Sequence, residues 1–524
     1  MKTLLKLLLI VPIAFMTSCS NDDDLSSNGN PFVGDTKTYQ LESVADPTIS
    51  GSATFIENEN GSTTIELQLS GTPSGGMHPA HIHFNTAAEG GDIALTLGTV
   101  DGDTGFSTVT TSELNDATSV TYDELIAFDG YINVHLSADA LETLVAQGDI
   151  GQNELTGAEK VYALGSVDVP SVSGTATFSE RVNGEALATI ALDGTADGDM
   201  HPGHIHLNTA AEGGAIAFTF NPVIGATGMS KTNVAMLDDS SGFGYDDILA
   251  FDGYINIHLS ADDLGTLIAQ GDIGQNELTG TEKIYALGTA DVAGISGTAT
   301  FSERTNGEAL ATINLDGAPD GGMHPGHIHF NTAAESGGVA FTFNPVNGTT
   351  GVSVTNLAML DDSTAFGYAD ILDFDGYINI HLSASELSTI VAQGDIGQNE
   401  LTGISTVYNL ATVDVVGISG TATFSERVNG EALAILTLDG TPDGGMHPAH
   451  IHMGSVATAP GGILFTFNSV DGTTGMSMTN VAALDDTTAF GYNDVLTVDG
   501  YINVHLSADN LGTLVAQGDI GVNQ

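Results

Sequence analysis

The chain has 524 residues, of which 66 are Asp or Glu and only nine are Lys or Arg, giving a formal net charge of −57. A surface so poor in cations repels phosphate backbones, which excludes nucleic acid as a partner. Hydrophobic residues make up 41% and glycine is abundant; with many β-branched residues and threonines, this is the composition of a globular, β-rich chain of several domains.

The chain starts with MKTLLKLLLIVPIAFMTSC, in which Lys2 and Lys6 precede an apolar run from Leu7 to Met16 and then small residues. That pattern is a secretory signal, too short and wrongly flanked for a stable membrane span. Cys19 is the single cysteine and stands where a bacterial lipoprotein signal places its acylated residue. The string MTSC resembles a lipobox, with Met16 where leucine is more usual. Residues 1–18 therefore read as a signal peptide, Cys19 as the lipidation site and 19–34 as a flexible tether. The acidic run after Cys19 resembles a surface-export signal of Gram-negative lipoproteins. The expected location is the cell surface, anchored by lipid to the outer membrane. With no second cysteine, intramolecular disulfides are excluded and stability must come from packed cores.

Past the tether the sequence repeats. His78, His201, His324 and His447 are each 123 residues apart, as are Tyr39, Tyr162, Tyr285 and Tyr408. A period this long marks tandem domains rather than a solenoid. The copies cover 35–155, 156–278, 279–401 and 402–524. Acidic loops such as VDGDTG (100–105) and LDDSTAFG (360–367) lack the EF-hand ligand spacing and read as solvated turns.

Each copy holds about seven short alternating runs separated by Gly, Asn, Asp or Pro. These predict an all-β fold: four antiparallel β-sandwich or Greek-key domains of immunoglobulin-like type. One short helix is expected near the C-terminal end of each. In the first copy it is LSADALETLVAQG (136–148), with Ser137 as N-cap, Leu141, Leu144 and Val145 on one face, and Gly148 as the stop. Thr121 and Glu124 also form a capping-box pattern in the first copy, a pair the other copies lack.

All 16 histidines fall into one scheme, three in H-P-x-H-I-H and one in Y-I-N-[VI]-H. The sets are His78, His81, His83 and His135; His201, His204, His206 and His258; His324, His327, His329 and His381; and His447, His450, His452 and His505. Residues i and i+2 of a strand share a face. His81 and His83 thus point together while Ile82 and Phe84 turn to the core, and Tyr131, Asn133 and His135 oppose Ile132 and Val134. Pairing the two strands brings three imidazoles, with His78 at the rim, to one point. Such a set suits one Zn or Cu ion per domain. Met77, Met200, Met323 and Met446 precede the first histidine; each reads as a buried gap-filler or as a thioether favouring copper. Two other readings remain, a hydrogen-bonded cluster stitching strands together and surface or pH-sensing histidines. The histidines persist through the divergence of the first copy and through a one-residue insertion after His452 in the fourth.

The strings HPAHIHFNTAAEGGDIALTL, GYINVHLS and GDIGQN together resemble the CHRD domain, named from chordin and found in many bacterial secreted proteins. His81, His83, Asn133 and His135 match that family residue by residue, as do their counterparts. The chain departs from it in SADALETLVAQ, where the family has a short link, and in GDIGQ, which lacks an arginine. The resemblance implies an immunoglobulin-like barrel with faint similarity to copper/zinc superoxide dismutases, and a role in extracellular binding. The expected protein is a non-enzymatic, surface-anchored array with a binding or adhesive role. Its partner would be an extracellular protein, a glycan or a neighbouring surface, and its membrane contact the lipid anchor alone. Four copies on one stalk favour avidity. The alternatives are a structural spacer and superoxide dismutase-like redox chemistry. The latter needs a two-metal cluster, to which Asp129 or Asp149 could add one carboxylate each. No G-x-S-x-G nucleophile motif recurs with the histidines.

Overall fold

The computed structural model describes residues 32–524, so the expected signal, Cys19 and the tether through residue 31 lie outside the described residues. Of the described residues, 32–154 form one compact unit and Leu155–Gln524 another. The first copy comprises β1 (Thr36–Ser43), β2 (Ser50–Glu57), β3 (Thr63–Ser70), β4 (Met77–Phe84), β5 (Ile93–Asp101), β6 (Phe106–Thr111), α1 (Tyr122–Ile126), β7 (Asp129–Ser137) and β8 (Ala140–Gly151).

Alternation makes these strands. In β2 and β3, Ala53, Phe55, Ile65, Leu67 and Leu69 are buried while their neighbours face outward. The strands pair antiparallel in the order β1-β2-β3-β6-β5-β4-β7-β8, and β1 meets β8 to close a barrel. Strands β4, β5 and β6 form consecutive hairpins while β7 returns beside β4, a Greek key. The wall is one sheet curled on itself, and its inner face carries the core of Tyr39, Phe55, Ile82, Leu97, Ile132 and Val134. The fourth copy closes the same way. In the second and third the strand equivalent to β4 is interrupted, as Met200–His201 with Gly203–Leu207 and Met323–His324 with Gly326–Phe330. The same ladder there runs as a ten-stranded sheet.

Two expectations about helices change. Residues 136–148 are not helical: β7 and β8 form a hairpin across Ala138 and Asp139, with Ser137 opposite Ala140. Val145 and Ala146 are buried in the barrel while Leu141 stays exposed. Closure of the barrel overrides the local helical pattern. The single helix lies earlier, at α1, where Thr121 and Glu124 form the expected capping box. It recurs in the other copies although glycine replaces Thr121. There the side chains of Asp247, Asp370 and Asp494 accept from the N-cap amides of Gly244, Gly367 and Gly491, each at 2.9 Å. Half of the box suffices.

Two side chains of β4 also differ from expectation. Phe84 ends the strand outside the core, 39% exposed, beside Phe128. Met77 is 56% exposed and fills no gap, and Met200, Met323 and Met446 are likewise exposed.

Candidate metal centre

β4 and β7 are adjacent, with His81 opposite Asn133 and His83 opposite Tyr131. Ile82, Ile132 and Val134 point into the barrel, so His81, His83 and His135 stand on its outer wall. A bulge between Val134 and His135 re-aims the last ring. One ring nitrogen from each of the three lies within 4.8 Å of the others, and the same holds for His204, His206 and His258, for His327, His329 and His381, and for His450, His452 and His505. Four triads, one per barrel, could each hold a metal ion.

The remaining nitrogens decide which atoms point inward. His83 Nδ1 donates to the Gly91 carbonyl at 2.9 Å and His135 Nδ1 to the Leu141 carbonyl at 2.6 Å. Each of these rings, when neutral, therefore keeps its lone pair on Nε2, facing the cluster. His83 Nε2 is buried without a hydrogen-bond partner, as are His206 Nε2, His329 Nε2 and His452 Nε2. His81 closes the triad with Nδ1, 3.2 Å from His135 Nε2; because His135 Nε2 is an acceptor, His81 Nδ1 carries the proton in this contact. The corresponding distances are 3.1 Å in the second barrel and 3.0 Å in the third. In the fourth barrel His450 Nδ1, His452 Nε2 and His505 Nε2 are all buried without partners. Buried polar atoms without partners are costly; a cation would satisfy all three in the fourth barrel, and in the other three once His81, His204 or His327 moves its proton from Nδ1 to Nε2. The carbonyl contacts are the outer-sphere bonds that fix metal-ligating histidines.

Burial, reinforced by the neighbouring rings, holds His81 below the ordinary histidine pKa, and burial does the same for His135. His204, His258, His327, His381, His450 and His505 are lowered for the same first reason. Near neutral pH these rings are uncharged, the form a metal requires. His83 stacks on Tyr131 with centroids 5.0 Å apart, which fixes its plane.

The fourth predicted member of each set stands apart. His78, His201, His324 and His447 are buried but lie outside the triads. His78 Nδ1 instead donates to the main-chain carbonyl of His135, at 3.2 Å, tying β4 to the ligand strand. Asp149 accepts from the Ala87 amide and Asp129 from Asn153 Nδ2; neither belongs to a triad. Asn133, matched by motif, receives Gln147 Nε2 at 2.8 Å. The acidic loops are self-bonded turns, as Asp101 accepts from the Asp103 and Thr104 amides and Asp362 from the Thr364 amide.

Sequence reasoning passed over Gly91. Its amide donates to the Tyr131 hydroxyl at 3.1 Å while its carbonyl receives His83. A Cβ there would lie 2.1 Å from the Phe84 carbonyl oxygen. The signal was a glycine at a fixed offset after H-I-H; the longer loop of the fourth copy restores it, with His452 Nδ1 at 3.0 Å from the Gly461 carbonyl.

Comparison with models of known families, with curated proteins and with solved structures found no match.

Proposed function

We propose that each barrel binds one zinc or copper ion through its histidine triad, and that the chain presents four such sites on a lipid-anchored extracellular array with a binding or adhesive role. The observation that carries the metal reading is the arrangement of nitrogens. In every barrel the far Nδ1 atoms of two rings are committed to backbone carbonyls, so their Nε2 lone pairs converge with a third ring. Three imidazoles leave a position open for solvent or a ligand, and nitrogen donors suit zinc and copper rather than calcium or magnesium. The net charge of −57 raises the local concentration of cations.

The extracellular, non-enzymatic part of the reading rests on the signal-like N-terminus, Cys19 and the CHRD-like strings of H-I-H, N-V-H and GDIGQ. The triads contain histidine alone, which favours one metal per barrel over a two-metal redox cluster. A second reading is supported by the His81–His135 contact at 3.2 Å: the rings bond each other and stitch β4 to β7 without metal.

Metal titration of the whole mature chain separates them. Binding of four equivalents of Zn²⁺ or Cu²⁺, reduced to three by His83→Ala, supports the metal sites. A folded chain that takes up neither ion at micromolar concentration overturns them and leaves the stitching role.

A further inference from the structure

The chain has three arginines, Arg181, Arg304 and Arg427, at the same 123-residue period as the histidines. We propose that Arg304 and Arg427 are positioning residues for the histidine triad of the barrel that precedes each, so that one barrel helps to set the candidate metal centre of its neighbour. The coupling to metal rests on the metal reading above; the positioning itself does not.

Arg304 ends the strand Ser296–Arg304 of the third barrel, and its side chain is fully buried. Nε donates to Asn356 of its own barrel at 2.8 Å. Nη1 crosses to the second barrel, meeting Asp272 Oδ2 at 2.7 Å and the Asn276 carbonyl. Both acceptors hold the loop that follows the histidine strand. Asp272 Oδ1 receives the Ala210 amide at 2.8 Å, and Asn276 Nδ2 donates to the Asn208 carbonyl at 3.0 Å. Asn356 Nδ2 adds a contact to Glu212 at 3.3 Å. The loop ends at Gly214, whose carbonyl fixes His206 Nδ1 at 2.9 Å and whose amide donates to Tyr254, the ring stacked on His206. Asp272 also lies directly opposite Tyr254 in the strand ladder.

The arrangement recurs one period on. Arg427 Nη1 meets Asp395 at 2.7 Å and the Asn399 carbonyl. Asp395 receives the Ala333 amide, Asn399 donates to the Asn331 carbonyl, and Gly337 fixes His329. The first copy has Asn58 at the corresponding position, bonded within its own barrel to Ser62 and Thr64. A buried guanidinium needs a paired carboxylate and further acceptors to offset its desolvation. In a chain with nine cations among 524 residues, placing every arginine at one repeat position is a strong constraint.

The test uses the whole chain carrying His83→Ala, His329→Ala and His452→Ala, so that only the second triad remains intact. Zinc affinity is measured by chelator competition, and hydrogen exchange at the Ala210 and Gly214 amides is followed without metal. Arg304→Gln is expected to weaken zinc binding about tenfold, the lower end of outer-sphere effects, and to speed exchange at both amides. Arg304→Lys, which keeps the ion pair to Asp272, recovers part of each and carries the test should the Gln variant unfold. Arg427→Gln, which acts on the third barrel, leaves zinc affinity within about twofold by the same measure. Unchanged affinity and exchange in Arg304→Gln, or an equal loss from Arg427→Gln, would overturn the proposal. Faster exchange in a parent that binds no zinc would sustain the positioning and refute the metal reading alone.

Discussion

Gly203 and Ile257 face each other in the second barrel, and a Cβ added to Gly203 would lie 2.8 Å from Ile257 Cδ1. Gly326 and Ile380 repeat this at 2.9 Å in the third. In the first and fourth barrels the same positions pair Ala80 with Val134 and Ala449 with Val504. Each pair holds the same number of side-chain carbons, so a methyl lost on one strand is regained on the other. Both members adjoin histidines of the triad, which makes this packing part of the site's support.

Gly203→Ala is therefore expected to overpack the second barrel and cost about 1–3 kcal/mol, while Gly203→Ala with Ile257→Val restores stability to within about 1 kcal/mol. Native-state hydrogen exchange of the second barrel is the suitable measurement, since a chain of several barrels has no single unfolding free energy. A double variant as unstable as the single one would contradict the compensation.

Gly91→Ala should disable the first triad without removing a ligand. The added Cβ collides with the Phe84 carbonyl, forcing the Gly91 carbonyl away from His83. Zinc affinity of the first site should fall by roughly tenfold or more, and the other three barrels should retain theirs. Full binding at all four sites would show that the carbonyl does not orient His83.

Burial pushes the Tyr39, Tyr162 and Tyr285 phenols up to about 12 from 10.0. Between these values the folded chain keeps protons that the unfolded chain has lost, so stability falls as pH rises from 10 towards 12 and is unaffected below. At about 1.4 kcal/mol per pKa unit, each tyrosine contributes roughly 2–3 kcal/mol of alkaline destabilisation. Urea unfolding of Tyr39→Phe should show a weaker alkaline loss in the first barrel. An unchanged pH profile would assign that loss to other groups.

Cys19→Ala is expected to abolish labelling by fatty acid and to release the chain from the membrane fraction into the soluble one. Continued membrane retention would mean that something other than a lipid on Cys19 holds it.

Much of the site was legible because its signals are linear. Strand alternation put His81 with His83 on one side of β4 and His135 with Asn133 on one side of β7, and the triad follows from pairing the two strands with those sides together. His78 was misplaced at its rim although alternation gives it the parity of Ala80 and Ile82, the side of β4 opposite to His81 and His83; its ring is buried and goes to a backbone carbonyl. Leu141 illustrates the opposite error. Its helical spacing with Leu144 and Val145 suggested a helix, yet its carbonyl is the acceptor that orients His135.

Periodicity alone determined that there are four copies, that they are built of strands and that each carries one histidine cluster, because duplication and two-residue alternation are written along the chain. Barrel closure decided the rest. It turned residues 136–148 into a hairpin and reduced four histidines to three, while the β4–β5 connection brought Gly91 to His83. Packing within Leu155–Gln524 likewise brought Arg304 to Asp272. The Arg304–Asp272 contact pairs groups 32 residues apart, and its energy depends on burial and geometry that only the folded chain supplies.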